Sequence, residues 1–143
     1  MRRAMQLSLA TCLAVLSACG GGSDSTTGVD DGLYANYLLT TVNGHSLPAL
    51  IDQSASQHTF MTSANIRLST NNTFSDTRSS TMTDALGDHP SSVTRTGTFT
   101  VNGVIVTLSY QDAFGNAAGG SAATLNGRVM TKVEGALTLT FER

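Results

Sequence analysis

The feature that most constrains the fold of this chain is a two-residue alternation of apolar and polar side chains. In the segment TGTFTVNGVIVTLSY, residues 96–110, apolar residues alternate with Thr and Ser on both sides of an Asn-Gly pair. Side chains two positions apart lie on the same face of a β-strand. The alternation places one set of residues on the buried face: Phe99, Val101, Val104, Val106, Leu108 and Tyr110. The segment therefore predicts an antiparallel hairpin that turns at Asn102–Gly103, because Asn-Gly accepts positive φ angles.

Further turn signals divide the chain into short strands. Asn-Gly occurs again at Asn43–Gly44 and Asn126–Gly127, and TNNT (residues 70–73) separates two more alternating runs. Threonine is the commonest residue, whereas the chain has two Glu and one Lys, which is a composition typical of strands. Longer loops are expected at residues 52–57, 84–92 and 114–121, and residues 115–123 are interpreted as a flexible connector.

Many short antiparallel strands in one small domain must protect their edges, and closing the sheet removes the edges altogether. We therefore expect residues 33–143 to form an all-β domain, a small antiparallel up-and-down barrel of about eight strands. Closure requires the first strand, Tyr34 to Val42, to pair with the last, Leu137 to Glu142. Leu137, Leu139 and Phe141 are then predicted to point inward.

The N-terminal segment has the pattern of a secretory signal. Arg2 and Arg3 precede an uncharged, mostly apolar run that ends in Leu-Ser-Ala-Cys at residues 16–19. This tetrapeptide resembles the lipobox of bacterial lipoproteins, in which the cysteine receives a diacylglycerol after cleavage before it. The resemblance implies a signal peptide over residues 1–18, lipidation of Cys19 and a membrane anchor made of acyl chains.

The residues after Cys19 fit a tether. Residues 19–32 are rich in Gly, Ser, Thr and Asp and are expected to form a lipid-anchored flexible linker. In Gram-negative lipoproteins, Asp after the cysteine favours retention at the inner membrane; Gly20 at this position therefore favours the outer membrane. The expected location is the cell envelope, with the protein lipid-anchored in the outer membrane of a Gram-negative bacterium and facing the periplasm or the cell surface. Residues 19–143 carry six basic and ten acidic residues, so no nucleic-acid partner is expected.

The order and spacing of the strands and turns resemble those of a known protein family. YLLTTVNGHSLP (37–48), IRLSTNNTFS (66–75), GTFTVNGVIVTL (97–108) and LTLTFER (137–143) are similar to the lipocalin-like domains of small bacterial envelope lipoproteins. A weaker similarity is to META-type domains, whose Gly-Cys-Asn motif this chain lacks. The family resemblance implies a barrel that binds a small apolar ligand. The chain has no Trp, so the Gly-x-Trp of lipocalins is absent.

No catalytic constellation is found, and the chain is not expected to be an enzyme. Gly-x-Ser-x-Gly is absent, and residues 115–123 lack the Lys of a phosphate-binding loop. His45, His58 and His89 have no metal-ligand spacing. A site built from His89 with Asp84 and Asp88 is an alternative to a solvated loop, and the solvated loop is favoured. No metal and no cofactor are expected.

Two functional hypotheses remain open. In the first, the barrel carries a small apolar ligand, lined by Phe60, Met61, Phe74, Met82, Phe99, Tyr110 and Phe141. In the second, these side chains simply fill the barrel, because eight strands enclose an interior that side chains just occupy. The protein is then a structural or partner-binding envelope module without a ligand. A cavity above roughly 300 Å³ favours the first hypothesis, and a solid core with exposed apolar residues favours the second.

Overall fold

The computed structural model describes residues 32–143, which form one antiparallel sheet of ten strands with no helix in this range. The strands are β1 (Asn36–Val42), β2 (His45–Ser46), β3 (Ala49–Gln53), β4 (His58–Leu68), β5 (Thr73–Asp84), β6 (Gly87–Asn102), β7 (Ile105–Gln111), β8 (Ala117–Asn126), β9 (Val129–Glu134) and β10 (Leu137–Glu142). The predicted all-β class is therefore confirmed.

Eight of the ten strands close into an up-and-down barrel. β4 to β10 follow one another as antiparallel neighbours, and β1 completes the circle by pairing with both β4 and β10. The predicted pairing of the first and last strands is confirmed, with Leu39 opposite Phe141. β2 and β3 are extra strands in the connection from β1 to β4, and they pair with the parts of β1 and β4 that diverge at one end.

The Asn-Gly turns differ in register from one another. Asn43 (φ 52°) and Gly44 (φ 80°) both take positive φ angles, as predicted. At the second site Asn102 pairs with Ile105, so Gly103 (φ 59°) and Val104 form the turn, one residue later than predicted. A turn with glycine at its first central position needs only one positive φ, which glycine adopts without strain. Asn126–Gly127 shows the same shift, because Asn126 pairs with Val129.

This shift leaves the predicted buried face almost intact. A turn at Asn102–Gly103 would place Phe99 opposite Val106, whereas in the structure Phe99 lies opposite Leu108. A shift of two residues keeps each side chain on the same face of its strand. Val106, Leu108 and Tyr110 are buried as expected. Val104 is exposed, because it lies within the turn instead of on the strand.

Two of the expected loops are strands. β5 and β6 pair without interruption up to Asp84 opposite Gly87, so residues 84–92 form a tight hairpin tip and the start of β6. The start of β6 was not recognised in the sequence because it carries polar side chains on both faces. It does so because the β5–β6 hairpin extends beyond the apolar core. β8 begins at Ala117, so most of the stretch 115–123 is strand and not a connector. The expected loop at 52–57 is reduced to the four residues between β3 and β4.

The barrel core is packed with side chains from every barrel strand. The fully or nearly fully buried apolar set includes Tyr37, Leu39, Ile66, Leu68, Phe74, Phe99, Val106, Leu108, Leu125, Met130, Leu139 and Phe141. Gly97 permits close packing here, because a Cβ at this position would lie 1.9 Å from the backbone oxygen of Ser109. The interior at this level is therefore filled.

The up-and-down order sorts the connections into two ends. The near end contains Gly32, where the described chain enters, and the three turns at residues 69–72, 103–104 and 127–128. The far end contains the β1–β4 connection, the β5–β6 tip, the β7–β8 loop and the β9–β10 turn. At the far end β6 pairs with β5 alone before Thr96, so the β5–β6 hairpin projects past β7.

Candidate functional site

A cluster of charged side chains occupies the far half of the barrel interior. β5 contributes Asp76 and Arg78, β9 contributes Lys132 and Glu134, and β7 contributes Tyr110. Each pair is spaced by two residues, so both members point to the inner face of their strand. Asp76 and Lys132 are completely enclosed, while Arg78 and Glu134 lie nearer the mouth.

Arg78 bridges the two carboxylates of the cluster. Its Nε donates to Asp76 Oδ1 at 3.0 Å, and its Nη2 donates to Asp76 Oδ2 at 2.7 Å. On the other side Nη2 donates to Glu134 Oε1 at 2.7 Å, and Nη1 donates to Glu134 Oε2 at 2.5 Å. Paired N–H···O bonds of this kind are the strongest arrangement available to a guanidinium and a carboxylate.

Lys132 binds the same two carboxylates from deeper in the barrel. Its Nζ lies 3.3 Å from Asp76 Oδ2 and 2.7 Å from Glu134 Oε1, and it also donates to the hydroxyl of Tyr110. Tyr110 in turn donates to Asp76 Oδ2 at 3.1 Å. An ammonium has three N–H donors, and all three have an acceptor here. The cluster therefore satisfies its own hydrogen bonds.

The charges of the cluster balance, with two carboxylates facing two cations. Burial would raise the pKa of Asp76, but hydrogen bonds from Arg78 and the charges of Arg78 and Lys132 hold that pKa below its usual value. Hydrogen bonds from Arg78 outweigh burial at Glu134 and lower its pKa to about 2. Burial opposes the charge of Arg78, yet bonds to Glu134 and Asp76 raise its pKa. Both carboxylates are thus ionised at neutral pH.

A half-open cavity of about 230 Å³ lies above this cluster at the far end. Asp76 and Arg78 form its floor, and β5 and β6 supply serine hydroxyls. Its apolar wall consists of Ile51, Met61, Val93 and Leu137. The volume is below the roughly 300–1,000 Å³ of sites that enclose drug-sized ligands. The cavity can hold a small group but not a large apolar cargo.

Arg95 stands at the rim of this cavity. It lies opposite Asp76 across the β5–β6 pair, yet both oxygens of Asp76 are engaged by other partners. The guanidinium carbon of Arg95 instead lies 5.8 Å from the centre of the Tyr110 ring. Within residues 32–143 no carboxylate lies within ion-pairing distance of Arg95, so the cavity lining carries an excess positive charge.

The proposed ligand-lining residues lie in different parts of the structure. Phe74, Phe99 and Phe141 are buried in the packed core, and Tyr110 joins the ion cluster. Phe60 lies on the outer face of β4 opposite Thr81, and Met82 lies on the far part of the β5–β6 hairpin. None of these six residues contributes to the lining of the 230 Å³ cavity. Met61, the seventh predicted residue, does line it. Their contact with any ligand stays a prediction.

The histidines are separated in the structure. His89 lies near the β5–β6 tip with its Nε2 3.2 Å from Asp84 Oδ1, while His45 begins β2 and His58 begins β4. Among residues 32–143 no three His, Cys, Asp or Glu side chains are grouped closely enough to hold a metal ion. The same range contains no helix long and apolar enough to cross a membrane. Cys19, the predicted lipidation site, lies outside the described residues.

Comparisons of the chain with protein-family models, with curated protein sequences and with solved structures give no match. The assignment of a candidate site therefore depends only on the geometry of the residues described above. Sequence reasoning did not identify the ion cluster as a unit, although the alternation in residues 73–84 already places Asp76 and Arg78 on the same face as Phe74. The sequence signal for the cluster was therefore the presence of two charged residues, Asp76 and Arg78, on the strand face that Phe74 marks as buried.

Proposed function

We propose that this chain is a lipid-anchored protein of the bacterial cell envelope whose barrel is a filled support and whose far end binds a partner protein. The filled interior is the observation that carries this proposal. Aromatic and aliphatic side chains occupy the near half of the barrel, and the ion cluster occupies the far half. A container for a sizeable apolar ligand has no room within such a core.

The anchor is proposed from the sequence pattern at Cys19, and the topology is compatible with it. Gly32 lies at the near end, so a linker over residues 19–32 joins the barrel at that end. A Gly-rich linker of this length has an end-to-end reach of about 20 Å. In this proposal the lipid anchor sits in the outer membrane of a Gram-negative host. The near end of the barrel faces that membrane, and the far end faces away from it.

The far end presents apolar side chains to solvent. Leu86 at the β5–β6 tip and Phe114 in the β7–β8 loop are each 89% exposed, and their hairpins are neighbours in the barrel. Asp88 and Asp112 lie beside them in exposed positions. Because the β5–β6 hairpin projects past β7, the two side chains are separate apolar contact points at this end. We infer a protein partner that contacts both hairpins through apolar side chains bordered by basic residues.

The anchor is tested with the Cys19→Ser variant of the full-length protein in a Gram-negative host. We expect the wild type to incorporate labelled fatty acid and to fractionate with membranes. The variant is expected to remain unlabelled and uncleaved at this site, because the thiol that accepts the lipid is gone. If the variant is still cleaved, still incorporates labelled fatty acid and still fractionates with membranes, the proposed anchor at Cys19 is wrong.

The partner surface is tested by placing a photo-crosslinking amino acid at Leu86, at Phe114 or at Val104. Val104 is the control, because it is exposed but lies at the near end. In intact envelopes we expect one discrete crosslinked product from the two far-end positions and none from Val104. Equal crosslinking from all three positions, or none from the far end, would contradict a far-end partner.

A further inference from the structure

We propose that the 230 Å³ cavity at the far end binds a carboxylate that bears a short branched apolar group. The site is distinct from the exposed loop tips and does not depend on the lipid anchor. Two sources supply such a ligand: a free branched-chain carboxylic acid, or the C-terminal residue of a peptide that ends in an aliphatic side chain. Both present the same chemistry to the cavity.

The charge of the ligand follows from the lining. Arg78 in the floor is neutralised by Asp76 and Glu134, and Lys132 behind it is held by the same two carboxylates. Arg95 adds one positive charge that no described carboxylate balances. A guanidinium matches the geometry of a carboxylate, which it binds through two parallel hydrogen bonds. The site therefore favours a monoanion over a neutral or cationic ligand.

The apolar part of the ligand follows from the wall and the volume. The apolar lining consists of Ile51, Met61, Leu137 and Val93, and Val93 lies two residues from Arg95 on β6. Val93 is half exposed and gains apolar contact when the cavity is occupied. A branched group of four or five carbons fits a space of 230 Å³, whereas a long acyl chain meets the ion cluster in the floor.

The serine hydroxyls give the site its remaining polar contacts. Ser80 and Ser91 face each other across the β5–β6 pair, with their Oγ atoms 3.5 Å apart, and both line the cavity. Each hydroxyl can rotate to donate to an anionic oxygen. Ser91, Val93 and Arg95 alternate along β6 and so line the same side of the cavity, whereas Ile51, Met61 and Leu137 come from other strands. The β5–β6 side therefore supplies the polar contacts, and the other strands supply most of the apolar wall.

The test is a calorimetric titration of residues 19–143, non-lipidated, with 4-methylpentanoate and with its neutral analogue 4-methylpentanamide. We expect saturable binding of the acid and binding of the amide weaker by about tenfold or more. Arg95→Gln is expected to weaken acid binding by a similar factor. Arg67→Gln is the matched control, since Arg67 is an exposed arginine on β4 outside this cavity. Val93→Trp, which fills the cavity from its half-exposed wall, is expected to abolish binding.

The source of the carboxylate is resolved by two peptides that end in Leu, one with a free C-terminal carboxylate and one amidated. Tighter binding of the free-carboxylate peptide than of 4-methylpentanoate assigns the site to a peptide terminus, and the reverse order assigns it to a small acid. Three results would overturn the proposal: equal affinity for acid and amide, equal loss in the Arg67→Gln and Arg95→Gln variants, or no binding of any carboxylate up to about 10 mM.

Discussion

Lys132 on β9 and Asp76 on β5 face each other inside the barrel, with Nζ and Oδ2 3.3 Å apart and neither side chain exposed. Removing two charges from water is costly, and the cost is recovered only where the charges are paired and fully hydrogen-bonded. Here Arg78, Glu134 and Tyr110 supply the remaining bonds. The pair therefore links strands on two sides of the barrel and closes its far half to large ligands.

Substitution of either partner is expected to destabilise the domain. Lys132→Met leaves two carboxylates with one cation, and Asp76→Asn leaves Lys132 with one fewer carboxylate. Each is expected to lower the free energy of unfolding by about 3–5 kcal/mol in urea titrations. The double variant is expected to lose less than the sum, because neither charge is then left alone. Arg67→Met, an exposed cation, is the control and should change stability by less than about 0.5 kcal/mol. Additive losses would argue against direct coupling.

The stability of the domain is expected to depend on acidic pH through Glu134. Its pKa is about 2 in the folded protein, against an ordinary value of 4.5. As the pH falls below about 4.5 the unfolded chain binds a proton that the folded chain does not, so the free energy of unfolding falls from there to about pH 2. Above pH 5 this contribution is constant.

The same pH series on Glu134→Gln isolates this residue. The variant is expected to lose less stability than the wild type between pH 4.5 and 2, by at most about 3 kcal/mol. Glu142→Gln replaces the other glutamate of the chain, which is exposed on β10, and should keep the wild-type slope. Identical slopes in the wild type and the Glu134→Gln variant would show that the ion pair does not form in solution.

Barrel closure is tested at Phe141, which is fully buried opposite Leu39 on the pair that joins β10 to β1. Phe141→Ala is expected to cost about 3–5 kcal/mol of unfolding free energy, because it leaves a cavity in a packed core. Phe114→Ala is a matched control at an exposed phenylalanine and should change stability by less than about 0.5 kcal/mol. A small effect at Phe141 would indicate that the strands do not close around it.

The fold was predictable because its main signals are local. Alternation assigns the inner face of a strand, and it did so correctly at Phe99 and Leu108 even though the turn at Gly103 is one residue later than expected. The β5–β6 hairpin was not predictable in the same way. Its far part carries Ser and Thr on both faces, so Ser80 and Ser91 give no apolar period by which a strand is recognised.

The ion cluster was only half predictable. Asp76 and Arg78 share the inward face of one strand with Phe74, which is a local signal. Their partner Lys132 is 56 residues away from Asp76 along the chain. Which strands meet across the interior depends on the closure and stagger of the barrel, and no local pattern reports these. The cavity and the position of Arg95 at its rim follow from the same non-local geometry.

The central claim, a filled barrel that acts at its far end, is tested most directly by methyl NMR of the domain with labelled Ile, Leu, Val and Met during titration with decanoate. Val106, Leu125 and Met130 report on the near half of the core, whereas Ile51, Val93 and Leu137 report on the cavity. We expect the three near-half residues to keep their resonance positions up to saturating decanoate, with any changes confined to the cavity residues. Saturable shifts of Val106, Leu125 and Met130 would show that the barrel opens to enclose an apolar chain, and would contradict the filled-core account.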